Sequence, residues 1–456
     1  MFPLSGADPE IGTGQWHNLA WCMDTKLFFY IVPMLFILLV TVGRRYRRQN
    51  SNLSQLAENQ KAGLTEPASL HPVIDGRKCM GCASCVSACP EGEVLGVIHG
   101  KAQLINATHC IGHGACKDAC PFDAIDLVFG TEKRGIDIPT VQPNFVTNMP
   151  GIFIAGELGG MGLIRNAVEQ GRRALEGICG HPGVGSGDGA LLDVLIAGAG
   201  PAGFAASLGA MEKKIRSVTI EQEELGGTVA HFPRGKLVMT APVQLPVIGK
   251  VNFTEVSKEE LLGFWRQVEN KTGVSINYHE RLDSIEPDSD GYLVKTSKSE
   301  YRTRTILLAI GRRGTPRKLG VPGEDVGKVV YRLIDAEQYQ GKHVLVVGGG
   351  DSALEAAASI ADQPDTTVTL SYRSGAFSRA KEKNRVRVES AQAEGRMKIL
   401  YNSNVKEILP DRVLIDQEDA LLEFPNDAVI VSAGGILPTP FLKKIGIEVQ
   451  TKHGEA

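Results

Sequence analysis

Two short runs of the chain place cysteines, and at one position a histidine, at a repeated spacing. The runs are Cys79-x2-Cys82-x2-Cys85-x3-Cys89-Pro90 and Cys110-x2-His113-x2-Cys116-x3-Cys120-Pro121. Thiolates bind the irons of iron–sulfur clusters, and in paired runs of this spacing the fourth cysteine binds the other cluster. One predicted [4Fe–4S] cluster therefore takes Cys79, Cys82, Cys85 and Cys120, and the other takes Cys110, His113, Cys116 and Cys89. The pattern predicts electron transfer.

His113 is the position at which the second run departs from the first. An imidazole nitrogen can bind iron, and histidine in place of cysteine raises the reduction potential in Rieske centres. We therefore predict that His113 is a ligand. Two other interpretations stay open from the sequence: an exposed histidine beside a three-iron cluster, and a loop that holds no second cluster.

The bulk composition is that of a globular protein. The chain has 456 residues, of which 43% are hydrophobic and 22% charged, and its net charge of −3 gives no sign of nucleic-acid binding. This length leaves room for about three domains. Seven of the nine cysteines lie in the two runs, and only Cys22 and Cys179 lie outside them, so the cysteines are grouped as metal ligands and not dispersed as disulfides. That grouping indicates a reducing compartment.

An uncharged apolar segment covers residues 27–43. Its 17 residues are near the lower limit for crossing a bilayer, and Arg44, Arg45, Arg47 and Arg48 follow directly. By the positive-inside rule these arginines lie in the cytoplasm. A cleaved signal peptide would carry its positive charge before the apolar run. We therefore predict a single-pass helix in the cytoplasmic membrane, with the catalytic domains facing the cytoplasm; a helix buried against a partner subunit is the alternative.

A strand–turn–helix pattern begins at residue 193. The run DVLIA leads into Gly198-x-Gly200-x-x-Gly203, and the later strand SVTIE ends at Glu221. This is a dinucleotide-binding fingerprint, because the glycines allow a tight turn and close approach of the backbone to a pyrophosphate. The N-terminus of the following helix favours the phosphate charge. Glu221 is the predicted partner of the ribose hydroxyl groups.

A second copy of this pattern ends differently. The run KHVLVVGGG supplies Gly348-x-Gly350-x-x-Ala353, and the next strand is followed by Arg373 and Arg379 where the first copy has its acid. An arginine at this position suits a ribose 2′-phosphate, so NADP(H) is favoured over NAD(H). The alternative is that both arginines are solvated surface charges.

Residues 190–456 resemble the two-domain pyridine-nucleotide flavoproteins, most closely the low-molecular-weight thioredoxin reductase group. The stretches that carry the resemblance are LIAGAGPAG, EQEELGG, TILLAIGRRGTPRKLGVPGE, VVGGGDSALEAA and SYRSGAFSRAKEKNR. The resemblance implies FAD at the first fingerprint, NADPH at the second, and flavin contacts at Gly226, Gly227 and Gly311. That group carries a redox-active Cys-x-x-Cys in its nicotinamide domain, whereas residues 315–430 here contain no cysteine. The clusters would take the place of that dithiol as the flavin's electron partner.

The order of the flavin-domain segments also departs from that group. Its members end with a strand and an acid that contact the flavin ribityl chain, followed by a helix. Here the matching block, TNMPGIFIAGELGGMGLIRNAVEQG, occupies residues 147–171, with Gly156 and Glu157 in place of the usual Gly-Asp pair. We therefore predict a circular permutation, joined through the flexible segment 180–189. The alternative is that residues 131–180 belong to the cluster unit.

The predicted fold is α/β, with two Rossmann-like FAD- and NAD(P)-binding domains, a small α+β domain resembling a bacterial 2[4Fe–4S] ferredoxin, and one N-terminal transmembrane helix. The predicted segments are an outer-face tail (1–26), the transmembrane helix (27–43), a basic stop and linker (44–70), the ferredoxin-like domain (71–130), the permuted flavin-domain piece (131–180), the FAD-binding domain (190–314), the NAD(P)H-binding domain (315–430) and a return to the FAD domain (431–456).

Together these features predict a membrane-anchored NAD(P)H oxidoreductase with FAD and two [4Fe–4S] clusters. Its expected partner is a membrane redox complex linked to quinone or a cytochrome. Two alternatives stay open: a flavin-dependent disulfide or small-molecule reductase with auxiliary clusters, and a non-catalytic electron-wiring subunit of a respiratory complex. No catalytic acid or base is predicted, because hydride transfer to a flavin needs none from the protein.

Overall fold

Buried strands alternate with helices along the last two thirds of the chain, and this pattern forms two sheets with parallel cores. The computed structural model describes residues 14–455 except 68–69, 133, 161, 188–190, 240–241, 313, 379 and 419, and of residues 14–27, Met239 and Thr315 it describes the backbone alone. The predicted α/β class, with two Rossmann-like domains and a ferredoxin-like domain, is confirmed.

One long helix, α1, carries the apolar segment and continues past it. It spans Gly14–Lys61, so the linker predicted at 44–70 is helical up to Lys61. The polar part of α1 docks on the ferredoxin-like domain: Asn52 Nδ2 donates to the Val97 carbonyl at 3.1 Å, and Asn59 Nδ2 donates to the Ile105 carbonyl at 2.9 Å. Because amide side chains supply these contacts, the segment lacks the apolar stripe that usually marks a docked helix.

The ferredoxin-like domain consists of two antiparallel strand pairs and two short helices. Strand β1 pairs with β4, and β2 pairs with β3. The helices contain Cys85 and Cys116, the third position of each run, so the two runs fold alike. The elements are β1 (His71–Ile74), α2 (Ser84–Ala88), β2 (Leu95–Ile98), β3 (Lys101–Leu104), α3 (Ala115–Asp118) and β4 (Ile125–Val128).

The flavin-type unit is built on a seven-stranded sheet that takes one strand from before residue 180. Strand β6 lies parallel to the second half of β16, with Ile152 opposite Ile306, while β7 occupies the other edge of β16. The rest of the sheet follows the order β13-β8-β7-β16-β15-β14. Its elements are β5 (Ile136–Pro139), β6 (Ile152–Ile154), α4 (Ile164–Cys179), β7 (Leu192–Ala197), α5 (Pro201–Glu212), β8 (Ser217–Glu221), β9 (Leu237–Met239), β10 (Val243–Leu245), β11 (Gly249–Val251), β12 (Glu255–Ser257), α6 (Lys258–Thr272), β13 (Asn277–Tyr278), β14 (Leu282–Asp288), β15 (Gly291–Thr296) and β16 (Glu300–Leu308).

The nicotinamide-type unit contains a five-stranded parallel sheet in the order β18-β25-β19-β20-β21 and an antiparallel three-stranded sheet. The alanine-rich helix α7 is buried against the parallel sheet, because small side chains let helix and strands approach closely. The elements are β17 (Thr315–Pro316), β18 (Val329–Val330), β19 (His343–Val347), α7 (Asp351–Ala361), β20 (Thr367–Ser371), α8 (Glu382–Ala393), β21 (Met397–Leu400), β22 (Ser403–Ile408), β23 (Arg412–Gln417), β24 (Ala420–Pro425) and β25 (Ala428–Val431).

The C-terminal segment returns to the flavin-type unit. It contains β26 (Gly435–Ile436), α9 (Thr439–Lys444) and β27 (Val449–Lys452). Strand β27 pairs with β5, and Leu442 and Ile447 join the same buried core as Ile152 and Ile154. This return brings the end of the chain beside the ferredoxin-like domain, where the Phe129 N–H donates to the Glu455 carbonyl at 3.0 Å.

Candidate functional site

Four cysteines line one pocket of about 300 Å³ in the ferredoxin-like domain. We call Cys79, Cys82, Cys85 and Cys120 the first ligand set. Cys120 comes from the second run, and the fourth cysteine of each run was predicted to bind the cluster of the other run. The structure therefore brings together the four thiols that were predicted to share one cluster. Apolar side chains complete the wall and limit access of water, which suits an iron–sulfur cluster. These side chains are Ile74, Met80, Ala83, Ala102, Phe122, Ala124 and Ile125.

Backbone N–H groups point at the sulfurs of the first ligand set. The Ala102 N–H donates to Cys79 Sγ at 3.3 Å, and the Ala124 N–H donates to Cys120 Sγ at 3.4 Å. Such hydrogen bonds stabilise negative charge on sulfur and tune a cluster's potential. Burial raises the pKa of the Cys85 thiol to about 11, so this group loses its proton readily only to a bound metal.

The second ligand set is Cys110, His113, Cys116 and Cys89. Burial raises the pKa of the Cys110 thiol to about 11, and the charges of Cys116 and Cys89 act in the same direction. Within the described part of the chain, no three His, Cys, Asp or Glu side chains converge tightly enough to hold a single metal ion. A cluster does not require that convergence, because each of its four ligands binds a different iron.

His113 is half-buried, and burial lowers the pKa of its imidazole, which favours the neutral form that a metal ligand needs. Its Nδ1 accepts the Ala115 N–H at 3.4 Å, a long contact that leaves the other tautomer accessible. Its Nε2 is buried and has no hydrogen-bond partner among the described residues. Since unsatisfied buried polar atoms are rare, this nitrogen fits a ligand better than it fits an exposed histidine.

The glycines of the first fingerprint form a close turn between β7 and α5. A Cβ at Gly203 would overlap the carbonyl oxygen of Gly198, and a Cβ at Gly227 would lie 3.1 Å from the Gly200 Cα. The Gly226 N–H donates to the Ala199 carbonyl at 3.0 Å. The turn and the Gly226–Gly227 pair therefore meet in a space without side chains, as close approach of a pyrophosphate requires.

Glu221 lies at the end of β8 with its carboxylate against this turn. Its Oε2 accepts the Ala199 N–H at 2.6 Å and its Oε1 accepts the Glu223 N–H at 3.0 Å. Burial nevertheless raises the pKa of Glu221. Each oxygen keeps a lone pair free, so the carboxylate can also accept from ribose hydroxyl groups.

The segment at Gly156 and Glu157 reaches the same place. Gly156 has a φ of +83° and donates its N–H to Gln170 Oε1 at 2.8 Å. A Cβ at Gly156 would lie 3.1 Å from the Ala202 Cβ, within the first fingerprint. Gly311 follows β16, whose C-terminal end lies beside Gly198. The structure thus brings Gly156 and the end of β16 to the turn of the first fingerprint, and the assignment of these residues to the flavin stays a prediction.

Sequence reasoning did not single out Arg312, which follows Gly311. Its guanidinium is half-buried and donates to the Asp137 carbonyl of β5 at 3.1 Å. Burial lowers its pKa, and the nearby Glu157 and Asp137 carboxylates oppose that effect. The signal in the sequence was a pair of arginines after a glycine, which alone does not reveal burial.

The second fingerprint forms a similar turn between β19 and α7. A Cβ at Gly348, whose φ is +145°, would overlap the Ser432 carbonyl, and Ala353 is fully buried. Space beside Gly350 is open, which leaves room for a phosphate. Arg373 follows β20 and is exposed. Arg379 lies outside the described residues.

The ferredoxin-like domain also contacts the nicotinamide-type unit, through residues that precede Cys110. Arg385 Nη1 donates to Thr108 Oγ1 at 3.2 Å, and His109 Nε2 lies 2.9 Å from Glu382 Oε2. Sequence reasoning missed these residues because they lie far apart in the chain and belong to no local motif.

A family model described as pyridine nucleotide-disulphide oxidoreductase matches residues 195–455. The chain belongs to this family. A second model, described as a 4Fe-4S dicluster domain, matches residues 71–121. The chain is therefore an oxidoreductase of the flavin- and NADP-dependent type joined to an iron–sulfur domain, and the predicted enzyme class is confirmed.

Two relatives and one solved structure that are similar to this oxidoreductase each cover 57% of the chain. A ferredoxin–NADP reductase of Ignicoccus hospitalis is 28% identical over 269 residues, which are 57% of this chain and 83% of the relative. A ferredoxin–NADP reductase of Thermus thermophilus is 30% identical, with 57% and 77% covered. A solved bacillithiol disulfide reductase of Staphylococcus aureus is 23% identical with a TM-score of 0.51, covering 57% of this chain and 82% of that one, and supports the fold.

Proposed function

We propose that this oxidoreductase passes electrons between NADPH, FAD and two [4Fe–4S] clusters, and exchanges them with a redox partner in the cytoplasmic membrane. One observation carries the proposal: the ferredoxin-like domain docks on both nucleotide-binding units of the same chain. Two relatives are named ferredoxin–NADP reductases, and this name pairs a nicotinamide nucleotide with a ferredoxin. In this chain the dicluster domain would play the role of the ferredoxin.

The residues around each site suit these cofactors. When bound, FAD accepts a hydride from NADPH and releases single electrons, which iron–sulfur clusters can carry. The chain's own groups hold the cofactors in place: Glu221 would accept from the ribose hydroxyls of FAD, and Arg373 would pair with the 2′-phosphate of NADPH. The absence of any cysteine in residues 315–430 disfavours a resident dithiol as the alternative electron partner.

The exposed apolar part of α1 supports a membrane anchor. Among the described residues, one helix is long and apolar enough to cross a membrane, and none of its apolar stretch is buried by the rest of the chain. Phe29, Tyr30 and Leu39 are 75%, 78% and 70% exposed. Such a surface needs lipid or another protein to cover it. The arginines after it favour a cytoplasmic position for the folded domains.

Deletion of residues 1–48 tests the anchor, because it removes the apolar segment and keeps Asn52 and Asn59 docked on the ferredoxin-like domain. The full chain should sediment with membranes and stay there in high salt, whereas the truncated protein should be soluble and keep NADPH-dependent dye reduction. A truncated protein that still binds membranes, or a full chain that does not, would rule out the anchor.

A further inference from the structure

The two ligand sets lie at opposite ends of the strand pair β1–β4. At one end Ile74 pairs with Ile125, and both side chains line the pocket of the first ligand set. At the other end Cys110 Sγ lies 3.8 Å from the carbonyl oxygen of Leu70, which directly precedes β1. Four residues of strand separate the two places by about 10 Å. The domain therefore has two distinct cluster ends.

The end with the second ligand set faces the flavin-type unit. Strand β4 continues into Phe129, whose ring packs against Gly160, close to the Glu157 turn. The contacts of Thr108 and His109 with α8 are on this side as well, because both residues directly precede Cys110.

The end with the first ligand set lies beside the part of α1 that directly follows the arginines. Lys101 Nζ, at the tip of the β2–β3 hairpin, donates to the Cys79 carbonyl at 2.7 Å. At the same tip the His99 N–H donates to Gln49 Oε1 at 3.3 Å. Gln49 directly follows Arg48, so this end of the domain lies level with the arginines that end the apolar segment.

The two ends also differ in exposure. Cys82 is exposed, and the neighbouring Met80 and Phe122 are 66% and 46% exposed. Each set otherwise has two buried cysteines and one half-buried cysteine, so the sets differ at the second position of the run, where the second set has the half-buried His113. A centre that exchanges electrons with another molecule must be reachable from outside, whereas an internal relay gains from enclosure, which excludes water and competing reactions.

We infer that the second ligand set holds a relay next to the flavin and that the first ligand set holds the terminal centre, which exchanges electrons with the membrane partner at its exposed edge. The identity of the cofactors in this order rests on the proposed function. When bound, FAD would take two electrons and one proton from NADPH as a hydride; the electrons would leave one at a time through the second and then the first ligand set, the proton would pass to water, and reverse flow would follow the same path.

Paired ligand variants of the full-length holoprotein test the order by EPR after rapid mixing with NADPH. Cys82→Ala should lose the terminal centre and still show NADPH-dependent reduction of the remaining cluster. Cys116→Ala should keep a terminal centre that dithionite reduces, but its reduction by NADPH should slow at least a hundredfold. Reduction of that centre at the wild-type rate in Cys116→Ala would overturn the order.

His113→Cys serves if Cys116→Ala does not fold. A thiolate in place of the neutral imidazole adds negative charge, so the potential of the second set's cluster should fall while that of the first set's cluster stays unchanged. The rate at which NADPH reduces the terminal centre should fall together with this potential. An unchanged rate together with the lowered potential would contradict the relay role.

A distance measurement decides the order without NADPH. A nitroxide is attached at Ser51→Cys on the exposed side of α1, in a background with Cys22 and Cys179 replaced by serine, and the clusters are reduced with dithionite. Cys82→Ala should remove most of the cluster-induced relaxation of the nitroxide, and Cys116→Ala should leave most of it; the reverse would overturn the order. Wild-type clusters that exchange electrons with neither NADPH nor NADP⁺ would instead reject the proposed function.

Discussion

The two nucleotide-binding units share a glycine turn and differ at the group that follows their second strand. In the flavin-type unit, Glu221 is buried and its carboxylate is fixed by the N–H groups of Ala199 and Glu223. In the nicotinamide-type unit, Arg373 is exposed and forms no hydrogen bond or ion pair with the described residues. A buried, preorganised acid suits a cofactor that stays bound, whereas an open guanidinium suits a ligand that enters and leaves.

The largest difference between the two units is expected in their response to a substitution at the third position of the fingerprint. Gly203→Ala would place a Cβ on the Gly198 carbonyl, so α5 must move away from the turn. Overpacking of this kind costs roughly 1–3 kcal/mol. The purified variant should lose most of its FAD, measured by absorbance per chain, and unfold at a lower temperature.

Ala353→Gly is the matched control, because the second fingerprint already accepts a side chain at this position. It should retain full FAD and lose only about 1 kcal/mol of helix stability. If Gly203→Ala retained as much FAD as this control, the close turn would not be what admits the flavin.

The next largest effect concerns the choice of nicotinamide cofactor. Arg373→Ser removes a charged partner of the 2′-phosphate, and hydrogen bonds to charged groups contribute about 1.5–3 kcal/mol. The KM for NADPH should therefore rise about 10- to 100-fold while the KM for NADH changes little. Steady-state kinetics with both nucleotides measure the ratio.

Arg387→Ser provides the comparison for this variant, since Arg387 lies on α8 in an exposed ion pair with Asp362. It should leave the NADPH-to-NADH ratio unchanged. An equal ratio in Arg373→Ser and Arg387→Ser would mean that Arg373 is an ordinary surface charge.

A smaller, pH-dependent effect is expected at Glu221. Burial raises the pKa of this carboxyl above its usual value, so it takes up a proton at a higher pH than an exposed glutamate does. Ribose hydroxyls donate to the carboxylate, so protonation competes with FAD. Affinity for FAD should therefore be full above the raised pKa and weaken as the pH falls through it.

Glu221→Gln should bind FAD more weakly at neutral pH and lose this dependence on pH, because an amide does not ionise in that range. Fluorescence titration of the apoprotein with FAD at several pH values measures both effects. The same pH profile in wild type and Glu221→Gln would assign the titration to another group.

The sequence predicted the parts of the molecule that depend on local spacing. Cysteine spacing and glycine turns are short-range patterns. The strand around Ile152 was predicted from its resemblance to a flavin-domain segment, and in the structure it pairs with β16. The extension of α1 to Lys61 was missed because Asn52 and Asn59 contact backbone carbonyls and produce no apolar periodicity. The contact of Arg385 with Thr108 joins distant segments, so no local pattern marks it.

The most direct test of the account is an anaerobic titration of the holoprotein with NADPH, followed by flavin absorbance and low-temperature EPR. We expect bleaching of the flavin together with reduced-cluster signals, or, if the cluster potentials are too low for NADPH, oxidation of dithionite-reduced clusters on addition of NADP⁺. Clusters that exchange electrons with the nucleotide in neither direction, while the flavin does, would contradict the claim that one chain links NADPH to the iron–sulfur centres.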